Sequence, residues 1–281
     1  MTDTSGFTIR DLKGLDDYRA VVDLERAVWG YTDMADVVTV PVFIITVKRG
    51  GILIGAFDAI GQMVGFAYSI VGMKHGQPMQ WSHMMGVLPA HRRSGVGGLL
   101  KRAQRERALE AGFTLMEWTF DPLQALNAHL NFTRLGVVCD EYVENLYGES
   151  TSTLHRGTPT DRFVVQWQLD APHVERRLAR EGEAIGVRAR EAAAAAVVNE
   201  TRDAGVWRVP ARANLTLESS RAWVEIPADF TEMQRDEPDL ALEWRLHSRS
   251  IFTAYFARGY RAVDFEFERG SGRGRYLLAK S

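Results

Sequence analysis

The sequence predicts a mixed α/β fold of the α+β kind, and three observations predict it. Segments alternating apolar and polar residues recur along the chain beside segments with helical spacing. Residues 51–88 read as a meander of strands with a Gly61-Gln62 turn. A strand, a glycine-rich turn and a helix then follow one another over residues 79–112.

Taken in order, "FTIRDL" (7–12) alternates as a strand. Asp16 precedes an amphipathic helix to Trp29, with Tyr18, Val21, Leu24 and Val28 at helical spacing. Residues 51–59, 61–74 and 79–88 are strands, the last ended by Pro89. Gly97 to Gly112 is a helix whose Leu99, Leu100, Ala103 and Ala111 share an arc of roughly 120°. "TLMEWTF" (114–120) is a strand, "DPLQALNAHLNFTRLG" (121–136) a short helix between Pro122 and Gly136, and 137–148 a strand. "GESTSTLHRGTPT" (148–160) reads as a linker, which divides the chain into regions 1–150 and 151–281. Beyond it come a strand at 161–169, an interrupted helix over 172–203, a strand at 221–227 and a helix from Pro238 to Arg258. Leu240, Trp244, Ile251 and Tyr255 form the seam of that helix. Strands at 261–267 and 275–280 close the chain around the turn "RGSGRG".

The 281 residues carry 46% hydrophobic and 25% charged side chains, an ordinary globular composition. A net charge of −2 argues against a general nucleic-acid binder. The longest apolar run, 37–47, has about 11 residues against the roughly 20 a membrane span needs. No basic and apolar leader opens the chain, and the single Cys139 fits a reducing compartment, so a cytoplasmic location is expected. No His or Cys spacing indicates a metal site.

"HRRSGVGG" (91–98) is the segment that carries chemistry. A glycine turn that opens a helix offers free amides and partial positive charge to a phosphate. The Walker pattern is absent, and the dinucleotide fingerprint fails because Leu100 stands at its third glycine. Arg92-Arg93-Ser94-Gly95-Val96-Gly97 fits Arg-x-x-Gly-x-Gly in full.

With that loop, "GVLPAHRRSGVGGLL" (86–100) and "NAHLNFTRLG" (127–136) resemble the GNAT superfamily of acyl-CoA-dependent N-acyltransferases. The resemblance spans residues 7–148 and implies a GNAT-type mixed, splayed central sheet flanked by helices. It implies acetyl-CoA, or another short acyl-CoA, as co-substrate and an amine as acceptor, and the long C-terminal region favours a small amine over a protein tail. Arg92, Arg93, Ser94, Gly95, Val96, Gly97 and Gly98 then hold the pyrophosphate, and Met85 to Val87 pair with the pantetheine.

The family often places a carboxylate four or five residues before the valine of Val-x-Pro. Here those positions are Ser82 and His83. His83 is one candidate general base and Glu117, on the neighbouring strand, is the other. Phe132 stands where many members have the tyrosine that protonates the leaving thiolate, so Tyr142, Tyr147 or solvent takes that part. Asn127 is a candidate pantetheine contact. An acyl-CoA sensor without turnover is the alternative reading.

In the second region, 131–144 and 255–268 share Phe, Arg, Asp and Glu at matching offsets, which reads either as a degenerate repeat or as chance. Arg162, Arg245 and Arg249 read as acceptor ligands or, by preference, as surface ion-pair partners.

Overall fold

The computed structural model describes residues 6–31, 33, 36–148, 158–179, 195–268 and 272–280. Among these the chain forms two compact units, one up to Trp118 and one from Thr119. The boundary expected at 150 and most of the expected linker lie outside the described residues. The units divide earlier because the strand at 138–143 pairs with strands at 162–168 and 260–268.

In the first unit, β1 (Thr8–Asp11), β2 (Ile52–Phe57), β3 (Met63–Lys74), β4 (Gln77–Val87) and β5 (Leu115–Phe120, to Trp118 in this unit) form a sheet in chain order. The first four strands are antiparallel, and β4 and β5 are parallel. In the β2–β3 turn, Asp58 accepts the amides of Ile60 and Gln62 at 3.1 and 2.8 Å.

Helices α1 (Leu15–Trp29) and α2 (Val40–Lys48) cover one face. Phe43 of α2 meets Tyr68 edge-on at 4.9 Å, and Trp29 of α1 meets Phe66 at 6.0 Å. Tyr18, Val21, Leu24, Leu53 and Phe66 fill the core between these layers. Helix α3 (Val96–Glu110) covers the other face. Gly65 of β3 is needed there: a Cβ would lie 2.9 Å from the Gly86 carbonyl and 3.3 Å from Leu100 of α3.

The buried face of α3 is turned from the expected arc. Val96, Leu100, Lys101, Ala103, Gln104 and Ala108 are buried, whereas Ala111 is exposed and Leu99 only half-buried. Apolar letters alone placed the arc, and two polar side chains that bond to each other occupy its true centre and edge.

In the second unit, α4 (Ala125–Ala128) runs into a π-helical turn (His129–Leu135), followed by β6 (Val138–Val143), β7 (Arg162–Gln168) and α5 (Pro172–Ala179). The expected single helix from Pro122 is thus shorter and wider. Arg177 takes the carbonyls of Phe132 and Thr133 at 2.7 and 3.1 Å, and Trp167 takes that of Leu135 at 2.8 Å. These competing donors pull the turn off the α-helical ladder.

Next come β8 (Ala196–Val197), β9 (Asn199–Ala204), β10 (Trp207–Ala213), β11 (Arg221–Pro227), α6 (Phe230–Asp236), α7 (Pro238–Ala257), β12 (Tyr260–Glu268) and β13 (Arg273–Lys280). The helix expected over 172–203 ends at Ala179 as far as it is described; residues 180–194 lie outside the description. Its last part is strand. Asn199 exchanges two hydrogen bonds with the Glu225 backbone (2.9 and 2.8 Å), and the Val198 amide bonds to the Trp223 carbonyl at 2.8 Å. Pairing to β11 overrides the helical preference of Ala196.

Strands β7, β6, β12 and β13 lie side by side, so two helix–hairpin units meet back to back, with Cys139 opposite Ala262. Each unit has a left-handed glycine after its helix, Gly136 or Gly259, and a bulge in its first strand, at Asp140 or Val263. These matching glycines and bulges lie one residue out of step with the sequence echo, which aligned Asp140 with Asp264.

Tyr142, Phe163, Phe252, Tyr276 and Phe132 pack into the core of this unit, with Phe163 and Phe252 4.7 Å apart. Arg245, 1% exposed, forms a bidentate pair with Asp121 at 2.7 Å on both arms. Arg245→Met should strand the Asp121 carboxylate and cost about 3–5 kcal/mol in denaturant unfolding, while the Asp121→Asn/Arg245→Met double variant recovers much of that loss. A single variant as stable as wild type would contradict the assignment.

Candidate active site

The loop after β4 starts with a 3₁₀ turn (Pro89–His91) and reaches α3 through Arg92 to Gly95. Arg93 and Gly95 are left-handed, with φ of 68° and 91°. This double reversal aims successive amides inward. Helical bonding starts only with the amides of Gly98 and Leu99, both to the Gly95 carbonyl. The amides of Arg93 through Gly97 have no acceptor among the described residues. Ser94 holds the loop by donating to the His91 carbonyl at 2.6 Å, and Arg92 Nε donates to the Val87 carbonyl at 3.3 Å. A Cβ on Gly98 would meet nothing within 4 Å, and one on Gly97 only Met85 at 3.7 Å. The loop is a positively polarised cradle open to solvent, suited to a phosphate or pyrophosphate.

The letters Arg-x-x-Gly-x-Gly recur at 269–274, but Gly272 to Gly274 lead into β13 rather than a helix. The pattern has meaning only with a helix behind it.

Strands β4 and β5 form a fork. Gln80 pairs with Met116 and Trp81 with Glu117, and from Ser82 onward β4 pairs with β3 alone. The Leu88 amide bonds to the Val64 carbonyl, so the alternate residues Gly86 and Leu88 serve β3. Met85 and Val87 therefore direct their backbone groups to the open edge. A bulge interrupts β4 at the start of this stretch: Tyr68 pairs with Met84 and Ser69 with Ser82, leaving His83 as the extra residue.

The His83 ring stands edge-on to Tyr68 at 6.0 Å, on the α1–α2 face. It keeps a solvent-exposed edge, yet the protein crowded around it lowers its pKa below the ordinary 6.5. It is neutral at pH 7 and able to accept a proton. Glu117 is 5% exposed and bonded to Lys74, so a cation already occupies this carboxylate.

Tyr142 and Asn127 belong to the second unit. Tyr142 donates its hydroxyl to Asp161 at 2.6 Å, and its pKa is raised well above 10, by burial first and then by that carboxylate. Such a group holds its proton and is poorly placed to give it up. Asn127 is exposed on α4. Phe132 is fully buried against Phe120 and Tyr276. Tyr147 shares a 2.8 Å hydrogen bond with Thr119. Arg249 pairs with Asp161 at 2.8 Å, so it and Arg245 are internal ion-pair partners, one of them fully buried.

A buried carboxylate and a buried amine of the first unit escaped the sequence reading. Glu25 is fully buried within the apolar stripe of α1. Its Oε2 accepts the Val38 amide at 3.0 Å, Oε1 has no partner, and burial pushes its pKa up to about 7. Lys101 is 2% exposed on α3. Polar residues in step with an apolar seam were the available signal.

No protein-family model matches the chain, and no curated protein is similar to it. Solved structures similar to it include GNAT-superfamily acetyltransferases. The ribosomal-protein-S18-alanine N-acetyltransferase of Escherichia coli is 16% identical over 59% of this chain and 95% of its own, with a TM-score of 0.46. A GNAT-family acetyltransferase of Streptococcus pneumoniae is 17% identical over 57% and 98%, with a TM-score of 0.46. Phosphinothricin acetyltransferase of Sinorhizobium meliloti, in complex with acetyl-CoA, is 18% identical over 57% and 87%, with a TM-score of 0.46.

In an NMR titration the His83 ring should show a midpoint below 6.5, because its surroundings oppose the imidazolium. A midpoint at or above 6.5 would show a solvated or carboxylate-paired ring instead.

Proposed function

We propose that the first unit transfers an acetyl or other short acyl group from acyl-CoA to a small-molecule amine by direct attack. One observation carries this reading: an open strand edge leads from an amide-lined loop to an unpaired histidine. The amides of residues 93–97, with Arg92 and Arg93, take the pyrophosphate. The free edge at Met85 and at the Val87 amide takes the pantetheine arm as a further strand would, while the Val87 carbonyl is shared with Arg92 Nε. That seats the thioester where β4 and β5 part, beside the bulge.

The neutral amine attacks the thioester carbonyl carbon, forming the C–N bond. A backbone amide of the open β4 edge stabilises the oxyanion. His83 Nε2 or Nδ1 takes the proton lost by the nitrogen, and the C–S bond breaks to release CoA thiolate. Thiols have pKa values near about 8.5, so the thiolate leaves without a dedicated acid. The buried Phe132 is therefore compatible with turnover. A binder without turnover would have a cleft wall without a base, and His83 supplies one. The free, buried thiol of Cys139 accords with a cytoplasmic setting.

Calorimetry should detect acetyl-CoA binding to the wild type. Gly98→Glu, whose new side chain starts in open space, should fold normally and weaken binding at least about 100-fold by placing a carboxylate at the anion site. Absence of binding by folded wild type would overturn the proposal. His83→Ala should bind acetyl-CoA normally but lower kcat/KM by about 10²–10⁴-fold. Because the His83 pKa is depressed, wild-type activity should persist below pH 6.5 and fall only as His83 becomes protonated. A variant with an unchanged rate would remove His83 from the mechanism.

A further inference from the structure

Lys101 sits at the root of the fork. Its Nζ donates to Ser82 Oγ at 2.8 Å and to Gln104 Oε1 at 3.2 Å, and lies 3.7 Å from the centroid of the Trp118 ring. Ser82 Oγ donates in turn to Gln104 Oε1 at 3.0 Å. Ser82 and Trp118 are the first residues past the last β4–β5 pair, Trp81 with Glu117. One side chain thus ties α3, which carries the glycine loop, to both strands at the point where they part. Ser82 is also the residue before His83, the bulged position of β4.

We propose that Lys101 is a positioning residue: through Ser82 and Trp118 it sets where β4 and β5 separate and holds the bulge that presents His83. The role takes the fork as the acyl site, and so rests on the proposed transferase reading.

The chemistry of the site favours this role over simple packing. A methionine or leucine would fill the same space without desolvating an amine. The groups facing Nζ are Ser82 of β4, Gln104 of α3 and Trp118 of β5, with no carboxylate among them. Burial alone pushes the lysine down to about 7. The network is also incompletely satisfied, since Gln104 Nε2 is buried without a partner. Such a cluster costs stability, and the sequence keeps it where the two strands divide.

Two variants and two readouts test the role. Lys101→Met removes the amine at similar volume, and Ser82→Ala cuts the link to β4 while leaving the lysine. In the ligand-free protein, both variants should move the His83 Cε1–H resonance. The wild-type His83 titration should carry a second inflection near pH 7 from Lys101, absent in Lys101→Met. With substrates, both should lower kcat about 10–100-fold while KM for acetyl-CoA stays within about twofold, the mark of misplaced reacting groups. The double variant should be no worse than the poorer single one, because one chain of bonds is broken. Lys101→Met should be as stable as wild type or more so; if it fails to fold, Ser82→Ala carries the test. A His83 resonance and titration unchanged in the folded variants overturns the role, whatever the rate does. Failure of wild type to bind acetyl-CoA would refute the transferase reading separately, and the ligand-free His83 readout would still decide the role of Lys101.

Discussion

The first unit is organised around a strand that stops pairing on one side. From Ser82 to Val87, β4 bonds to β3 but has no strand partner toward β5. A backbone group left without a partner away from water is costly, so such an edge must meet solvent or a ligand. The bulge at His83 lies at the start of this free stretch, and the reversed loop of Arg93 and Gly95, with α3 behind it, lies beyond its end. Together they bring the loop amides and the free edge onto one line.

Around that line the fold keeps polar groups where apolar ones would be more stable. Glu25 lies in the stripe of α1 and Lys101 in the seam of α3, on opposite faces of the sheet; Glu25 is bonded to the Val38 amide, and Lys101 to Ser82 and Gln104 rather than to a carboxylate. Burial pushes both pKa values to about 7, one from below and one from above. The second unit handles its charges differently: Asp121 with Arg245, and Asp161 with Arg249 and Tyr142, are matched and hydrogen-bonded. That matching is the usual condition under which ions are tolerated inside a protein.

The parts of the fold legible in the sequence were those encoded locally. The glycine loop was legible because strand, turn and helix are contiguous, and the same letters at 269–274 show that context supplied the meaning. His83 was found by its distance from Val87, but its special place comes from a register shift against β3 that no single strand spells out. Lys101 stayed hidden because a lysine on a helix normally faces water; only its spacing with Gln104 and Ala108 hinted otherwise. The alanine run before Asn199 looked helical; of its described residues, Ala196 pairs as strand with Ala222 of β11, more than twenty residues away. Tyr142 looked available as an acid until its hydroxyl was found on Asp161.

The most direct measurement is amide hydrogen exchange at Met85 and Val87, with and without acetyl-CoA. If their free edge receives the pantetheine arm, both amides should exchange readily alone and slow markedly with ligand, while the Gly86 and Leu88 amides, already turned to β3, change little. Equal exchange at Met85 and Val87 with bound ligand would mean that the open edge of β4 is not where the cofactor lies, and the account would fail.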